Sequence, residues 1–409
     1  SAGPGGVTDA GSLFVALASD GSVLQRVDGT AAEEERAFSL ALIGDVNGDG
    51  VPDYIVGAPS AAPAGRFLAG SAFIISGLDG SIIRRFDGAN AGDQFGWSVA
   101  AAGDVNSDGT PDVIVGAPST APGGRSFAGS VFVFSGLDGS LLYRFDGPSP
   151  GDALGFSVLG GVDLNGDAVP DIVAGAPSAS PGGRTDAGSV LVFSGATGGA
   201  LYRVDGPEQA DELGFSLAAV HDIDGDGTSD LVVGAPSASP GGRSDAGSVF
   251  VFSGRTGAPL LRADAATPGG EMGVSVLGTV DLDADGFSDF AVGAPSASPA
   301  GRTWAGSVFV MSGRTGLVLQ RLDGAAAGDE FGWSLANASN VDGAGAPGVV
   351  VGAPSTSPSG RRSAGTAYVF ALTSPTIALC CYVLLAARVI AKRNVTLLVP
   401  VFGIPPRVG

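Results

Sequence analysis

Hydrophobic residues along this chain fall in short runs: Val113-Ile114-Val115, Val131-Phe132-Val133-Phe134, Leu141-Leu142-Tyr143. Gly, Pro, Asp, Asn and Ser cut each run off. No stretch keeps the period of about 3.6 residues that marks an amphipathic helix. Runs this short between turn residues predict many short β-strands, and they recur on a fixed period.

That period is 59 residues. Gly-Ala-Pro-Ser starts at Gly57, Gly116, Gly175, Gly234, Gly293 and Gly352, and Ala-Gly-Ser or Ala-Gly-Thr at Ala69, Ala128, Ala187, Ala246, Ala305 and Ala364. Phe95-Gly96-Trp97-Ser98 returns at Leu154, Leu213, Met272 and Phe331, and a degenerate first copy surrounds Phe38-Ser39. In the second copy the pattern predicts strand A over 96–102, B over 113–115, C over 130–134 and D over 141–145. Four short strands per repeat predict a β-propeller blade. A solenoid is the other architecture such a period allows, although its coils usually need fewer residues.

Phe-Gly at the head of strand A, the Asp-x-Asn-x-Asp-Gly-x-x-Asp loop after it and Gly-Ala-Pro after strand B resemble the FG-GAP repeat. The resemblance covers residues 4–372. It implies the seven-bladed propeller of integrin α subunits and of many bacterial surface proteins, and with it an adhesion or ligand-binding role. Fold alone does not fix function.

The expected fold is thus all-β, a single seven-bladed propeller domain over 1–409. Residues 1–29 supply strands C and D of a half blade: Pro4-Gly5-Gly6 to Val15 aligns with Pro181-Gly182-Gly183 to Val192, and Ser22–Val27 matches strand D. Residues 30–372 hold six repeats. The divergent tail, 373–409, is expected to close the last blade, with Thr376–Tyr382 as the sixth strand D, Val383–Ile390 as a seventh A and Val395–Val401 as a seventh B. Two alternatives stay open: a tail that packs on a neighbouring copy, and a transmembrane helix. The apolar run Ile377–Ala387 is short of the roughly 20 residues a bilayer needs, so membrane insertion is not expected. The chain starts at Ser1 without an apolar leader, which reads as a processed chain or a fragment.

The candidate chemistry lies in the loop after strand A. Its five copies offer Asp45, Asn47, Asp49, Val51 and Asp53; Asp104, Asn106, Asp108, Thr110 and Asp112; Asp163, Asn165, Asp167, Val169 and Asp171; Asp222, Asp224, Asp226, Thr228 and Asp230; Asp281, Asp283, Asp285, Phe287 and Asp289. Side-chain oxygens at positions one, three, five and nine, with a backbone carbonyl at seven, suit a hard cation that takes six or more ligands. Calcium fits that donor set better than magnesium, and no sulfur or imidazole is in place for zinc. About five calcium ions are expected. The sixth copy has Ala344 and Gly348 at ligand positions and is expected to bind none; the third has Ala168 at the usual turn glycine. The other reading of such loops is that they are simply turns.

Charge agrees with the metal reading. Net charge is −20, and the five loops hold 17 of the 41 acids, leaving 24 against 21 Lys and Arg. Such an acidic chain has no basic stripe for nucleic acid. Cys380 and Cys381 are adjacent, so no disulfide framework is expected.

Arginine recurs in the B–C loop at Arg66, Arg125, Arg184, Arg243, Arg302 and Arg361. Salt bridges to Asp93, Asp152, Asp211 and Asp329 are expected there, with an anion-binding ring as the alternative. One loop position varies: Leu68, Phe127, Asp186, Asp245, Trp304, Ser363, with Phe67 beside the first. Local packing is expected of its apolar members, and a partner site is the alternative. His221 reads as a turn residue. Asn337 and Asn394 stand in glycosylation-type triplets. No nucleophile has a histidine partner, so catalysis is not expected. The sequence therefore predicts a secreted or cell-surface, non-enzymatic calcium propeller that binds a protein or glycan. Its alternative is a filament subunit joined to copies of itself by strand addition. A carbohydrate-active enzyme comes third.

Overall fold

The computed structural model describes residues 10–16, 22–31, 34–338, 346–357, 365–372 and 381–382. It contains β1 (Ser12–Ala16) and β2 (Val23–Asp28), an antiparallel pair, followed by six four-stranded antiparallel sheets. The first is β3 (Ser39–Gly44), β4 (Asp53–Ala58), β5 (Ser71–Ile75) and β6 (Ile82–Asp87), ordered as in the chain. The second, β7–β10, spans 98–146; the third, β11–β14, 157–205; the fourth, β15–β18, 216–264; the fifth, β19–β22, 275–323; the sixth, β23–β26, 334–382.

Each blade follows its burial. The second strand, such as β4, is buried at every residue, which is why Tyr54-Ile55-Val56 is continuously apolar. The first strands of successive blades pack side by side around the axis, and the fourth, such as β6, is the exposed edge. Arg85–Asp87 and its repeats, Arg26–Asp28, Arg144–Asp146, Arg203–Asp205, Arg262–Asp264 and Arg321–Asp323, put an ion pair on β2 and on the outer strand of each of the first five blades. Charge along an edge strand discourages pairing with other chains.

The cores lie between blades. Ile55 and Ile74 of the first pack with Val113 and Val115 of the second in one cluster. The repeat motifs stitch the same boundary. Phe95 donates its N–H to the Ala69 carbonyl of the preceding blade, and the Ser39 hydroxyl donates to the Gly96 carbonyl of the following one. A Cβ on Gly57 would lie 2.0 Å from that Gly96 oxygen, so the glycine of Gly-Ala-Pro is required by the next blade's backbone.

The expectation of seven blades, the last completed by both chain ends, is corrected: the described residues form six four-stranded blades and a separate two-stranded sheet. β1 pairs only with β2. Leu13 and Val15 pack on Tyr54 and Val56 of the first blade, as a preceding blade would. The described part of the tail, β26 (Cys381–Tyr382), joins β25 (Thr366–Ala371) in the sixth blade through Val369↔Tyr382 and Phe370↔Cys381. It lies inside the expected sixth strand D and is used up there. The proposed seventh A and B strands fall outside the described residues.

The first repeat departs from the rest because Arg36 stands where Phe95 stands in the second. Arg36 and Glu34 form a buried ion pair at 2.7 Å, each side chain 4% exposed. Arg36 also donates to the Asp28 carbonyl and lies over the Phe73 ring, 4.4 Å from its centre. Glu34 accepts from the Thr30 and Ala31 amides. A buried pair satisfied on every side can replace an aromatic core residue.

Candidate metal centre

Every strand pair is antiparallel, so each blade has two ends. Loops between first and second strands, with the turns between third and fourth, share one end; the remaining loops share the other. The acidic loops all belong to the first end.

Within a loop the carboxylates fold onto backbone amides. Asp45 accepts from Gly48 and Asp49 through Oδ1 and from Gly50 through Oδ2; Asn47 accepts from Asp49, and Asp49 from Val51. These amides hold the Asp45 carboxyl below the usual carboxylate range, the Gly50 bond foremost. Ser76, at the end of β5, points its hydroxyl at Asp49 Oδ2, 3.3 Å away. The other four loops repeat the pattern.

The structure brings positions one, three and five together. Ligand oxygens of Asp222, Asp224 and Asp226 lie within 4.8 Å of one another, as do those of Asp281, Asp283 and Asp285. Like charges this close repel unless a cation lies among them. Oxygen-only donors on a preformed turn fit a hard divalent ion in geometry as well as composition. Thr228 and Phe287, at position seven, turn their N–H groups to Asp226 and Asp285.

Position nine is built differently. Asp53, Asp112, Asp171, Asp230 and Asp289 are fully buried. Each accepts from the amide at position two and from a glycine after the third strand, as Asp112 does from Val105 and Gly136. These aspartates tie the loop to the blade, and Asp171 accepts in addition from the backbone and side-chain amides of Asn165. Burial pushes Asp112, Asp230 and Asp289 up to about 6, and raises Asp53 and Asp171 too. A neighbouring divalent ion would draw them back down.

Two loop positions need the left-handed backbone. At position six φ is +85° for Gly50 and +69° for Ala168. Ala168 therefore adopts the turn at a cost glycine avoids. Position four, which the sequence reading passed over, is also left-handed: Gly48, Ser107, Gly166, Gly225 and Ala284. Its signal was the recurrence of glycine there in three copies. The sixth loop lies outside the described residues from 339 to 345.

The B–C arginines do not make the expected salt bridges. Arg125, Arg184, Arg243 and Arg302 donate through Nε, and Arg66 through Nη2, to carbonyls of Gly147, Gly206, Ala265, Gly324 and Gly88 in their own blades. Asp93, Asp152, Asp211 and Asp329 instead accept from amides of their own loops. A short carboxylate satisfied three residues away does not reach for a cation. Arg361 lies outside the described residues.

At that same end the variable loop position is left-handed in every described copy: Leu68, Phe127, Asp186, Asp245 and Trp304 have φ of 48–53°. Local packing, expected of the aromatics, is not what occurs. Phe67, Phe127 and Trp304 are 66%, 63% and 60% exposed. Between the Phe127 and Trp304 blades stands an acidic sector. Burial first, then repulsion from Asp186, Asp245 and Glu271, raises the Glu212 carboxyl.

Sequence reasoning also missed an aromatic collar around the axis at this end. Phe38, Trp97, Phe156, Phe215, Val274 and Trp333, the third residue of each Phe-Gly-x-Ser tract, line a cavity of about 310 Å³. Consecutive rings touch, with centroids 4.8, 5.5 and 4.9 Å apart from Phe38 to Phe215. The readable signal was an apolar residue there in every copy. At the other end His221, Val220, Val280 and Leu372 line a second axial cavity of about 520 Å³. Among the described residues no helix is long and apolar enough to cross a membrane.

Blades of this topology, repeated around an axis with acidic loops at one end, define a β-propeller. The FG-GAP repeat family matches residues 95–134, 154–193, 213–252 and 272–311. The chain carries FG-GAP repeats and is similar to the integrin α propellers. Integrin alpha-5 of Xenopus laevis is 33% identical over 217 residues, 49% of this chain and 20% of that protein. Integrin alpha-V of Gallus gallus is 36% identical over 213 residues, 49% and 20%. Phosphatidylinositol-glycan-specific phospholipase D of Mus musculus is 37% identical over 173 residues, 39% and 20%. The matched region is thus a fifth of the length of these relatives. Among solved structures, the computationally designed Ika8 protein has the same fold at a TM-score of 0.50 and 18% identity, covering 91% of this chain and 81% of its own.

Proposed function

We propose that this chain is a calcium-stabilised, ligand-binding propeller, extracellular or at a cell surface, that recognises a protein or glycan and catalyses nothing. The loops of residues 45–53, 104–112, 163–171, 222–230 and 281–289 each hold one calcium ion through positions one, three and five and the carbonyl at seven. Position nine braces the loop. Bound calcium would cancel the repulsion within each loop and fasten the turns of that end.

The observation that carries the binding role is the opposite end. Phe127 and Trp304 hold a left-handed backbone that bulky side chains disfavour, and they hold it while exposed. Strain kept at an exposed aromatic favours recognition. The phospholipase D relatives match over a fifth of their length, which leaves catalysis outside this reading. The experiment is a glycan array and a panel of extracellular-matrix proteins, probed in millimolar calcium with the wild type and a Phe127→Ala/Trp304→Ala variant. Binding by the wild type and loss in the variant supports the proposal. Equal binding by both moves the ligand site elsewhere.

One observation favours a second reading, a subunit joined to copies of itself by strand addition: among the described residues β1 pairs on one side only. Light scattering on native material distinguishes the two, a monomer mass excluding the assembly.

A further inference from the structure

The five acidic loops fall into two groups. Those of the first three blades have asparagine at position three: Asn47, Asn106 and Asn165. Those of the fourth and fifth have aspartate, Asp224 and Asp283. A second position changes with it. The turn between the third and fourth strands begins Leu78, Leu137 and Ala196 in the first three blades, and Arg255 and Arg314 in the next two. The blades with a fourth loop carboxylate are the blades with a turn arginine.

Geometry gives the pairing a reason. In the second blade Asn106 donates from Nδ2 to Asp108 Oδ2 at 2.8 Å. In the fourth blade position three is Asp224, which has nothing to donate. Asp226 Oδ2, the equivalent oxygen, faces the Arg255 Nε at 3.8 Å instead. In the third blade Asn165 donates instead to Asp171 Oδ1 at 3.2 Å, so what Arg255 brings to Asp226 is a positive charge beside the added carboxylate. Arg255 lies between loops as well, since a side chain on Gly166 of the third loop would come within 3.2 Å of its guanidinium. In the fifth blade Arg314 lies over the ring of Phe287, position seven of its loop, 5.2 Å from the centroid.

We propose that Arg255 and Arg314 are built-in counter-cations that set the calcium affinity of the fourth and fifth loops. The inference rests on the metal reading above. Without calcium, each arginine offsets the added carboxylate and keeps the loop folded. With calcium, it repels the ion and holds the affinity of a four-aspartate loop down towards that of its three-aspartate neighbours. The result is five sites that fill over a narrow calcium range.

The test compares the wild type, Arg255→Leu and Leu137→Arg, counting bound ions by native mass spectrometry across a series of buffered calcium concentrations. The fourth loop is identified in an Asp226→Ala background. Arg255→Leu is expected to fill that loop at about tenfold lower free calcium, the scale of one charge removed several ångströms from a divalent ion. The gain should shrink in 0.5 M salt and vanish with Asp226→Ala present. Leu137→Arg should weaken the second loop, which keeps the proposal testable should Arg255→Leu misfold. In chelator, Arg255→Leu should melt below the wild type. An unchanged filling concentration in both variants overturns the role of the arginines while leaving the metal sites standing. A wild type that binds no calcium overturns the metal reading itself, at the first step.

Discussion

The two ends of the blades are built by opposite rules. At the metal-loop end, aspartate at positions one, five and nine repeats through five copies, and even the hydrogen bonds recur. At the other end one backbone conformation repeats while its side chain runs Leu68, Phe127, Asp186, Asp245, Trp304. Uniform side chains on a uniform backbone serve the fold. Varied side chains on a uniform backbone serve a surface, since nothing in the blade needs the variation.

Calcium removal tests the first half of that contrast with the largest effect. At about tenfold over its dissociation constant each ion contributes roughly 1.4 kcal/mol. Five would be a large share of a typical margin of about 5–15 kcal/mol. Calorimetry in chelator and in millimolar calcium should give melting temperatures many degrees apart, and equal midpoints would break the comparison.

Gly116→Ala comes next. The new methyl would meet the Gly155 oxygen of the next blade at 2.1 Å, and a loss of about 3 kcal/mol or more in denaturant unfolding is expected. The varied end would then be shown to rest on an unvarying seam. Asp226→Ala should remove one ion by native mass spectrometry and about 1–2 kcal/mol of the calcium-dependent stability.

A pH series in chelator separates brace from ligand. Asp112, Asp230 and Asp289 stand at about 6 when folded, against 3.8 for an ordinary aspartate. A raised carboxyl favours the folded state while protonated, so the metal-free protein should lose stability as pH rises from about 4 through about 6. Saturating calcium should flatten that slope. The smallest effect belongs to the varied end: Phe127→Gly should leave stability unchanged or raise it by up to about 1 kcal/mol, because glycine accepts φ of +53° without strain. Clear destabilisation would mean that the aromatic is structural.

Much of this was legible in the sequence. Gly-Ala-Pro, Phe-Gly and the acidic loop announced the blade because each is fixed by backbone contacts that any copy must make. The number of blades was not legible, since it depends on the tail, where the repeat pattern stops and pairing partners are set by tertiary contact. The clustering of positions one, three and five could be read from their spacing. Position nine looked the same in a list of aspartates, and only burial and the Val105 and Gly136 amides separate it. The expected arginine–aspartate bridges failed because nearby backbone groups satisfied both partners first. The Arg36–Glu34 pair was hidden for a related reason: it occurs once, and a period search discards what does not repeat.

The seam between blades has a consequence for how such a chain arises. Phe95 and Gly96 of one blade fit Gly57, Ala69 and Gly70 of the blade before, and the same surfaces recur at each boundary described. Each module after the first carries a head that fits the tail of the others. Duplication of 59 residues therefore yields a working joint at once, with no compensating change on either side. The chemistry of the joint sets no copy number. The angle turned per module does, because a head-to-tail interface ends only where rotation brings the last member back to the first.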